Sequence, residues 1–218
     1  MRLLLLHSPL VGPSTWTALA PVLRRRGHAV TVPDLRPALR EGPPYYAALT
    51  AIIDAAECDN AVAVLHSGAG ALTPLLRRAR GAIFVDALLP HPGQSWFDGV
   101  PPELGARLRG LAKDGMLPPW HAWWPKGAIE RPLPDRALGA AFIAEQEDLP
   151  LAYFEEESPD LAFVLPAAYL QLSDAYTDDA GAAAAQGWPV ERLTLNHLSV
   201  LTEPAALADA IERLVHAL

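Results

Sequence analysis

A serine lies between two segments of different pattern, where it could act as a nucleophile. Residues 61–65 form a short apolar run that predicts a buried strand, and residues 68–80 predict the helix that follows. Ser67, at the junction, would project its hydroxyl from the carboxyl edge of a sheet, where open α/β proteins bind ligands. The amide of Gly68 would then point at negative charge developing on a bound carbonyl oxygen. The alternative is that Ser67 only caps the helix.

A histidine after the last predicted strand could serve as the base. A serine hydroxyl is a poor nucleophile until a base within hydrogen-bonding reach takes its proton, and histidine is well matched to this near neutral pH. His197 follows the predicted strand 190–195, so we expect it on the same rim of the sheet as Ser67. A histidine with a purely structural role is the alternative.

A carboxylate is needed to orient that imidazole, and the chain offers several. Asp174 follows the predicted strand 168–172 and lies between Ser67 and His197 in the chain. We therefore predict Asp174 as the acid, because it ends a strand on the same rim. The rival carboxylates are Asp86, which ends the preceding predicted strand, and Asp178 and Asp179.

The remaining pattern predicts the scaffold that must position these residues. Predicted strands at 3–6, 28–33, 61–65, 82–85, 168–172 and 190–195 alternate with predicted helices. Such alternation predicts an α/β protein with a mostly parallel sheet of about six strands and helices on both faces. Residues 88–165 interrupt the alternation, yet they are too apolar to be disordered. We predict one domain, 1–218, with residues 88–165 as a helical cap or lid inserted between the late strands.

The predicted cap is rich in tryptophan, which bears on the ligand. Trp96, Trp120 and Trp123 would suit a small apolar or aromatic substrate held over Ser67. The alternative is that these rings form the core of the cap itself. Because no carboxylates cluster at ligand spacing, we expect no metal site, and no organic cofactor is expected either.

Composition narrows the class of partner. The formal net charge of -8 over 218 residues argues against nucleic acid or an anionic membrane surface. No apolar stretch is long enough to span a bilayer, and the run at 3–6 is too short for a signal peptide. Cys58, the only cysteine, excludes an internal disulfide. We expect a cytoplasmic protein without membrane insertion, and the sequence leaves its oligomeric state open.

Together these motifs resemble the α/β-hydrolase superfamily, over nearly the whole chain except the predicted cap. Residues 65–69, around Ser67, resemble the Gly-x-Ser-x-Gly turn, and Asn196-His197 resembles the closing Gly-His pattern. The family's opening pattern is matched by His7-Ser8, Trp16, Arg26-Gly27-His28 and Pro33-Asp34-Leu35. The resemblance implies a small, capped, esterase- or thioesterase-like fold whose usual first two antiparallel strands are missing.

The resemblance also implies an activity. A serine hydrolase of this family would cleave a small carboxylic ester or thioester through an acyl-enzyme, with Ser67 as nucleophile, His197 as base and Asp174 as acid. Two other functions occur on this fold and stay open. One is a cofactor-free lyase, cyclase or dehydratase that uses His197 as base, and the other is a small-molecule receptor.

The loop after the first strand departs from the family pattern. Ser8 replaces the glycine of the usual His-Gly turn, and Pro9 follows it. In related enzymes a backbone N–H at about this place helps to form the oxyanion hole, and proline has no N–H. We expect the amide of Leu10 to supply that donor beside the amide of Gly68. Loss of one donor costs about 10²–10³ in turnover elsewhere.

Overall fold

The structure, a computed structural model, describes residues 1–57, 59–133 and 135–218, in which strands alternate with helices. The strands are β1 (Arg2–Leu6), β2 (Ala29–Thr31), β3 (Val62–Ser67), β4 (Gly81–Ala87), β5 (Met116–Leu117), β6 (Leu149–Pro150), β7 (Ala167–Gln171) and β8 (Val190–Arg192). The α-helices are α1 (Leu19–Arg25), α2 (Arg36–Arg40), α3 (Tyr45–Ala56), α4 (Pro102–Leu111), α5 (Arg136–Ala144), α6 (Leu151–Glu155), α7 (Thr177–Ala185), α8 (Ser199–Thr202) and α9 (Pro204–His216). Short 3₁₀ helices span Pro13–Trp16, Gly68–Leu75, Trp96–Gly99, Trp120–Trp123 and Asp174–Tyr176.

Six of the strands form one parallel sheet in the order β2-β1-β3-β4-β7-β8. This confirms the predicted mostly parallel sheet of about six strands. Because all six strands run in the same direction, their carboxyl ends meet at one edge. That edge receives the ends of β3, β4, β7 and β8, so the loops that follow these strands are brought together there.

Both faces of the sheet are buried, and alternate residues of each strand face opposite ways. In β1, Leu4 and Leu6 belong to one apolar cluster, while Leu3 and Leu5 belong to the cluster on the other face. Helix α3 packs in the first cluster, whereas α1 and α9 pack in the second. The continuous apolar runs in the sequence are therefore strands covered on both sides.

Residues 88–165 join β4 to β7 and consist of short helices and irregular loops. They contain α4, α5 and α6, and also a two-stranded antiparallel ribbon of β5 with β6, which the sequence analysis did not predict. Each of these strands is two residues long, too short to produce an alternating pattern. The fully buried Phe154 lies at the centre of an aromatic cluster within this insert.

The segment after Ser67 differs from the prediction. A helix over 68–80 was expected, but a 3₁₀ helix over Gly68–Leu75 is found. Pro74 lies inside it and lacks the N–H that an α-helix needs, and two glycines near its start weaken helix formation. Helix α3 ends at Ala56, short of the predicted end at Cys58, which lies outside the described residues. In the described chain, no helix combines the length and the apolar character needed to cross a membrane.

Gly70 lets this 3₁₀ helix approach the end of β4, and its replacement tests the packing. A Cβ at Gly70 would lie 2.0 Å from the carbonyl oxygen of Leu88. We expect Gly70→Ala to lower the free energy of unfolding by about 1–3 kcal/mol through overpacking, as measured by urea denaturation. Gly110→Ala is the control, because this exposed helical position has open space around it; it should stabilise by up to about 1 kcal/mol. Equal stability of both variants would contradict the packing described.

Candidate active site

Ser67 occupies a sharp turn between β3 and the following 3₁₀ helix. Its backbone angles, φ 59° and ψ -129°, lie in a region that residues with a side chain rarely adopt. Such strain persists only where the surrounding structure enforces it, and it is characteristic of functional turns. The Ser67 side chain makes no capping hydrogen bond to the helix. Ser67 thus stands at the N-cap position of this 3₁₀ helix, but its hydroxyl does not cap the helix.

His197 lies on the same rim and contacts a buried carboxylate. Its Nδ1 is 3.3 Å from Oδ2 of Asp86, whose side chain is fully buried. Asp86 also accepts hydrogen bonds from the backbone N–H groups of Leu172 (2.6 Å) and Ser173 (3.1 Å) and from the Ser173 hydroxyl (2.6 Å). Burial alone would raise the pKa of Asp86, but the bonds from His197, Ser173 and Leu172 outweigh it and hold that pKa below its usual range.

Asp86, and not the predicted Asp174, is thus the carboxylate at His197. The register between β3 and β4 shifts after the pair His66–Val85, so that Ser67 pairs with Ala87. Asp86 is the extra residue of this bulge and has a φ of 40°. A bulge turns one side chain away from the regular alternation, and this one turns the Asp86 carboxylate toward the end of the neighbouring strand β7.

The other three carboxylates lie elsewhere. Asp174 is exposed at the start of the 3₁₀ helix beyond β7, and Asp178 is exposed in the first turn of α7. Asp179 accepts a hydrogen bond from the N–H of Leu89 at 3.3 Å. Sequence order could not separate these candidates from Asp86, because all four lie between Ser67 and His197 along the chain.

Two aromatic rings stack on the His197 imidazole. The ring of His66 lies 4.4 Å away at an interplanar angle of 26°, and that of Tyr176 lies 5.0 Å away at 12°. The His66 Nε2–H also donates to the carbonyl oxygen of His197 at 3.0 Å. Burial lowers the pKa of His66 to about 3, so this neighbour stays neutral near pH 7. The stacked rings and Asp86 together fix the plane and direction of the His197 imidazole.

Tyr176 is a residue of this site that the sequence analysis missed. Its hydroxyl lies 3.3 Å from Oγ of Ser67. Burial raises the pKa of Tyr176 well above its usual range, so the phenol stays protonated and can donate this bond. Among the contacts of the described residues, Ser67 has no hydrogen bond to His197, although both line one cavity. Tyr176 lies near the end of a strand, as the other site residues do, and this position could have indicated it. No motif of the sequence, however, calls for a tyrosine there.

The loop after β1 is held by a buried histidine. The His7 Nδ1–H donates to the carbonyl oxygen of Ser8 at 2.8 Å, and its Nε2 accepts the N–H of Leu35 at 3.1 Å. The predicted oxyanion donor, the N–H of Leu10, instead donates to Oγ of Ser8 at 3.3 Å. A Cβ at Gly68 would lie 2.8 Å from the same Oγ, so this loop closes directly over the turn at Ser67.

A small cavity lies between the loop after β1 and the residues Ser67 and His197. Its volume is about 10 Å³, about that of one water-sized probe. The lining residues are Ser8, Leu10, Val11, His66, Ser67, Trp120, Phe142, His197 and Leu198. Leu10 and Val11 also line a second cavity of about 260 Å³ on the far side of the loop. Leu10 and Val11 therefore border both the cavity at Ser67 and the larger one.

Only one of the three tryptophans predicted to bind substrate lines the cavity at Ser67. The Trp120 ring lies 6.4 Å from that of His197. Trp96 and Trp123 pack instead against Phe154, and the Trp123 indole N–H donates to the carbonyl oxygen of Pro118. For Trp96 and Trp123 the alternative, a core within the insert, is what the structure contains. Their spacing in the sequence could not reveal which side of the insert they face.

Comparisons with known proteins identify the fold. No protein-family model and no curated protein sequence matches the chain. An extracellular α/β-hydrolase from a Paenibacillus species, described as a structural and functional homologue of tobacco Salicylic Acid Binding Protein 2, is 18% identical, with a TM-score of 0.77 and 98% of each chain covered. A variant of polyneuridine aldehyde esterase is 15% identical, with a TM-score of 0.72 and 98% of each chain covered. A pyrethroid hydrolase from Sphingobium faniae JZ-2 is 20% identical, with a TM-score of 0.71, over 100% of this chain and 98% of its own. The chain has the α/β-hydrolase fold, as predicted.

The buried His7 predicts how stability depends on pH. Burial lowers the pKa of His7 from 6.5 to about 4, so between these values the unfolded chain takes up a proton that the folded protein does not. His7 therefore costs stability progressively as the pH falls from about 6.5 to about 4, by up to about 3 kcal/mol. In urea denaturation at pH 7 and pH 4.5, His7→Asn should lose less stability on acidification than the wild type. His216→Asn, at an exposed position, should behave as the wild type. If His7→Asn lost as much stability on acidification as the wild type, the attribution of this loss to His7 would be wrong.

Proposed function

We propose that this protein is a serine hydrolase that cleaves a small carboxylic ester or thioester through an acyl-enzyme. The observation that carries the proposal is the strained turn at Ser67 on the same rim as the His197–Asp86 pair. A nucleophile, a base and a carboxylate that orients the base are the parts that acyl transfer needs. The similar solved structures described above are those of esterases and hydrolases, which is in keeping with this activity.

Acylation begins with the Ser67 hydroxyl. It turns from Tyr176 to Nε2 of His197, which takes its proton as Oγ attacks the carbonyl carbon of the ester. Asp86 accepts the Nδ1–H of His197 and stabilises the imidazolium that forms. The carbonyl oxygen becomes an oxyanion, which accepts a hydrogen bond from the amide of Gly68. Collapse of this intermediate breaks the bond to the leaving alcohol or thiol, which receives the proton from His197.

Deacylation repeats these steps with water. His197 takes a proton from a water molecule, whose oxygen attacks the carbonyl carbon of acyl-Ser67. The second tetrahedral intermediate then releases the carboxylic acid and returns the proton from His197 to Ser67. Ester and water are consumed, acid and alcohol are formed, and the protein is unchanged.

The small volume of the cavity favours a small substrate. About 10 Å³ of space beside Ser67 holds little more than a water molecule, so the acyl group must displace side chains of the lining. Leu10 and Val11 are the thin part of this lining, because the cavity of about 260 Å³ lies behind them. Trp120 and Phe142 also line the cavity, and their apolar rings favour an apolar or aromatic group on the substrate.

A fluorophosphonate probe tests for an activated nucleophile at Ser67. We expect stoichiometric labelling of the wild type, measured by intact mass, and turnover on a panel of short-chain p-nitrophenyl esters and acyl thioesters. Ser67→Ala and His197→Ala should abolish labelling and reduce turnover by at least about 10³-fold, because the nucleophile or its base is lost. Ser95→Ala, which alters a buried capping serine of the insert that does not line the cavity at Ser67, is the control and should label as the wild type. Absence of labelling in folded wild type would contradict the proposal.

The choice of acid is tested by matched substitutions. Asp86→Asn should lower kcat/KM on the same esters by up to about 10⁴-fold, the loss known for the corresponding change in a serine protease. Asp174→Asn should leave kcat/KM near the wild-type value, because Asp174 is exposed and makes no contact with His197 in the described structure. Melting temperatures of both variants separate lost activity from lost folding. If Asp174→Asn lowered kcat/KM and Asp86→Asn did not, Asp174 would be the acid.

A second candidate function, cofactor-free lyase, cyclase or dehydratase chemistry, rests on two observations. Pro9 removes a backbone donor that supports acyl transfer, and the Ser67 hydroxyl bonds to Tyr176 instead of His197. In this chemistry His197 alone would move the proton and no covalent Ser67 intermediate would form. The probe experiment separates the two, because only the hydrolase requires an activated Ser67.

A further inference from the structure

Ser8 is a buried hydroxyl at the point where the loop after β1 meets the turn at Ser67. It is 2% exposed and lines the same cavity as Ser67 and His197. A Cβ added to Gly68 would lie 2.8 Å from Oγ of Ser8, which places this oxygen beside the Gly68 backbone. The Ser8 hydroxyl therefore lies close to the Gly68 backbone, at the cavity that Ser8 and Ser67 both line.

The hydrogen bonds around Ser8 leave its hydroxyl proton available. Oγ accepts the N–H of Leu10 at 3.3 Å, so the amide that could have replaced the missing Pro9 donor is already directed at Ser8. The carbonyl oxygen of Ser8 accepts bonds from His7 and Val11, which fix the backbone. Among the bonds formed by the described residues, none uses the Ser8 hydroxyl as a donor. A serine hydroxyl can accept and donate at once, and an accepted bond strengthens the one it donates.

We propose that the Ser8 hydroxyl is the second oxyanion donor, replacing the backbone N–H that Pro9 cannot supply. This inference rests on the proposed ester hydrolysis. As Oγ of Ser67 bonds to the carbonyl carbon, the carbonyl oxygen gains the electron pair of the broken π bond and accepts hydrogen bonds from Ser8 and Gly68. When the intermediate collapses, that pair re-forms the carbonyl. Ser8 keeps its proton throughout. It is therefore a catalytic residue that acts by hydrogen bonding alone, without making or breaking a covalent bond.

The loop is built to hold this donor in place. His7 is neutral near pH 7, because burial lowers its pKa to about 4, and it joins the Ser8 carbonyl to the N–H of Leu35. A donor fixed before the reaction needs no reorganisation when charge develops, which is the condition for a large effect on rate. The chain thus carries a fixed hydroxyl at the position next to the missing amide.

The test compares Ser8→Ala with a rescue variant. Ser8→Ala should lower kcat about 10²–10³-fold on the short-chain ester that the wild type cleaves best, with little change in KM. The inhibition constant for a trifluoromethyl ketone, which forms an oxyanion on Ser67, should rise by a similar factor. Pro9→Ala in the Ser8→Ala background restores a backbone N–H and should recover at least about tenfold in kcat. Ser14→Ala is the control, since it removes a buried hydroxyl of the 3₁₀ helix that follows this loop, and Ser14 does not line the cavity.

The outcomes separate this inference from the proposed function. Wild-type turnover that needs Ser67 but is unchanged in Ser8→Ala would overturn the role of Ser8 and leave the hydrolase standing. A fall in kcat matched by a fall in melting temperature, with no effect on the inhibition constant, would make Ser8 a structural residue and also overturn it. If the wild type has no Ser67-dependent turnover or labelling, the proposed function fails and this inference fails with it.

Discussion

The buried carboxylate of Asp86 is the group on which the rim of the sheet depends. It joins three parts of the chain: the bulge at the end of β4, the loop after β7 through Leu172 and Ser173, and His197 beyond β8. Burying a carboxylate is costly unless its oxygens are hydrogen-bonded, and here both oxygens accept bonds. The same bonds keep Asp86 ionised, so one negative charge both organises the rim and faces the imidazole.

Around this carboxylate the site is unusually full. His66, Tyr176 and Trp120 surround the His197 ring, and the hydroxyls of Tyr176 and Ser8 approach the turn at Ser67 from different sides. Because the cavity has room for about one water molecule, electrostatic interactions at the site are less screened than in bulk water. The same filling limits the substrate, because any group larger than water must displace Leu10, Val11 or another lining side chain.

The sequence predicted the parallel sheet and the shared position of Ser67 and His197 at one edge of it. Apolar runs alternating with helical segments predicted a parallel sheet, and a parallel sheet collects the ends of its strands at one edge. That reasoning alone placed Ser67 and His197 on the same rim. Asp174 and Asp86 both follow a predicted strand, and the bulge that turns Asp86 toward His197 is not visible in the sequence, so Asp174 was ranked first. The same reasoning treated Trp96, Trp120 and Trp123 alike, since tryptophans in an insert of irregular loops and short helices carry no period that tells inside from outside.

The sequence by itself determined that Ser67 and His197 each follow a predicted strand, that a turn lies at Ser67, and that Pro9 lacks a backbone donor. These features are local, because they follow from residue type and from apolar periodicity. Only the tertiary structure decided that Asp86 reaches His197, that Tyr176 bonds to Ser67, and that Ser8 lies against Gly68. Each of these contacts joins loops far apart in the chain, and side-chain directions across such loops are set by packing and hydrogen bonding that no single segment encodes.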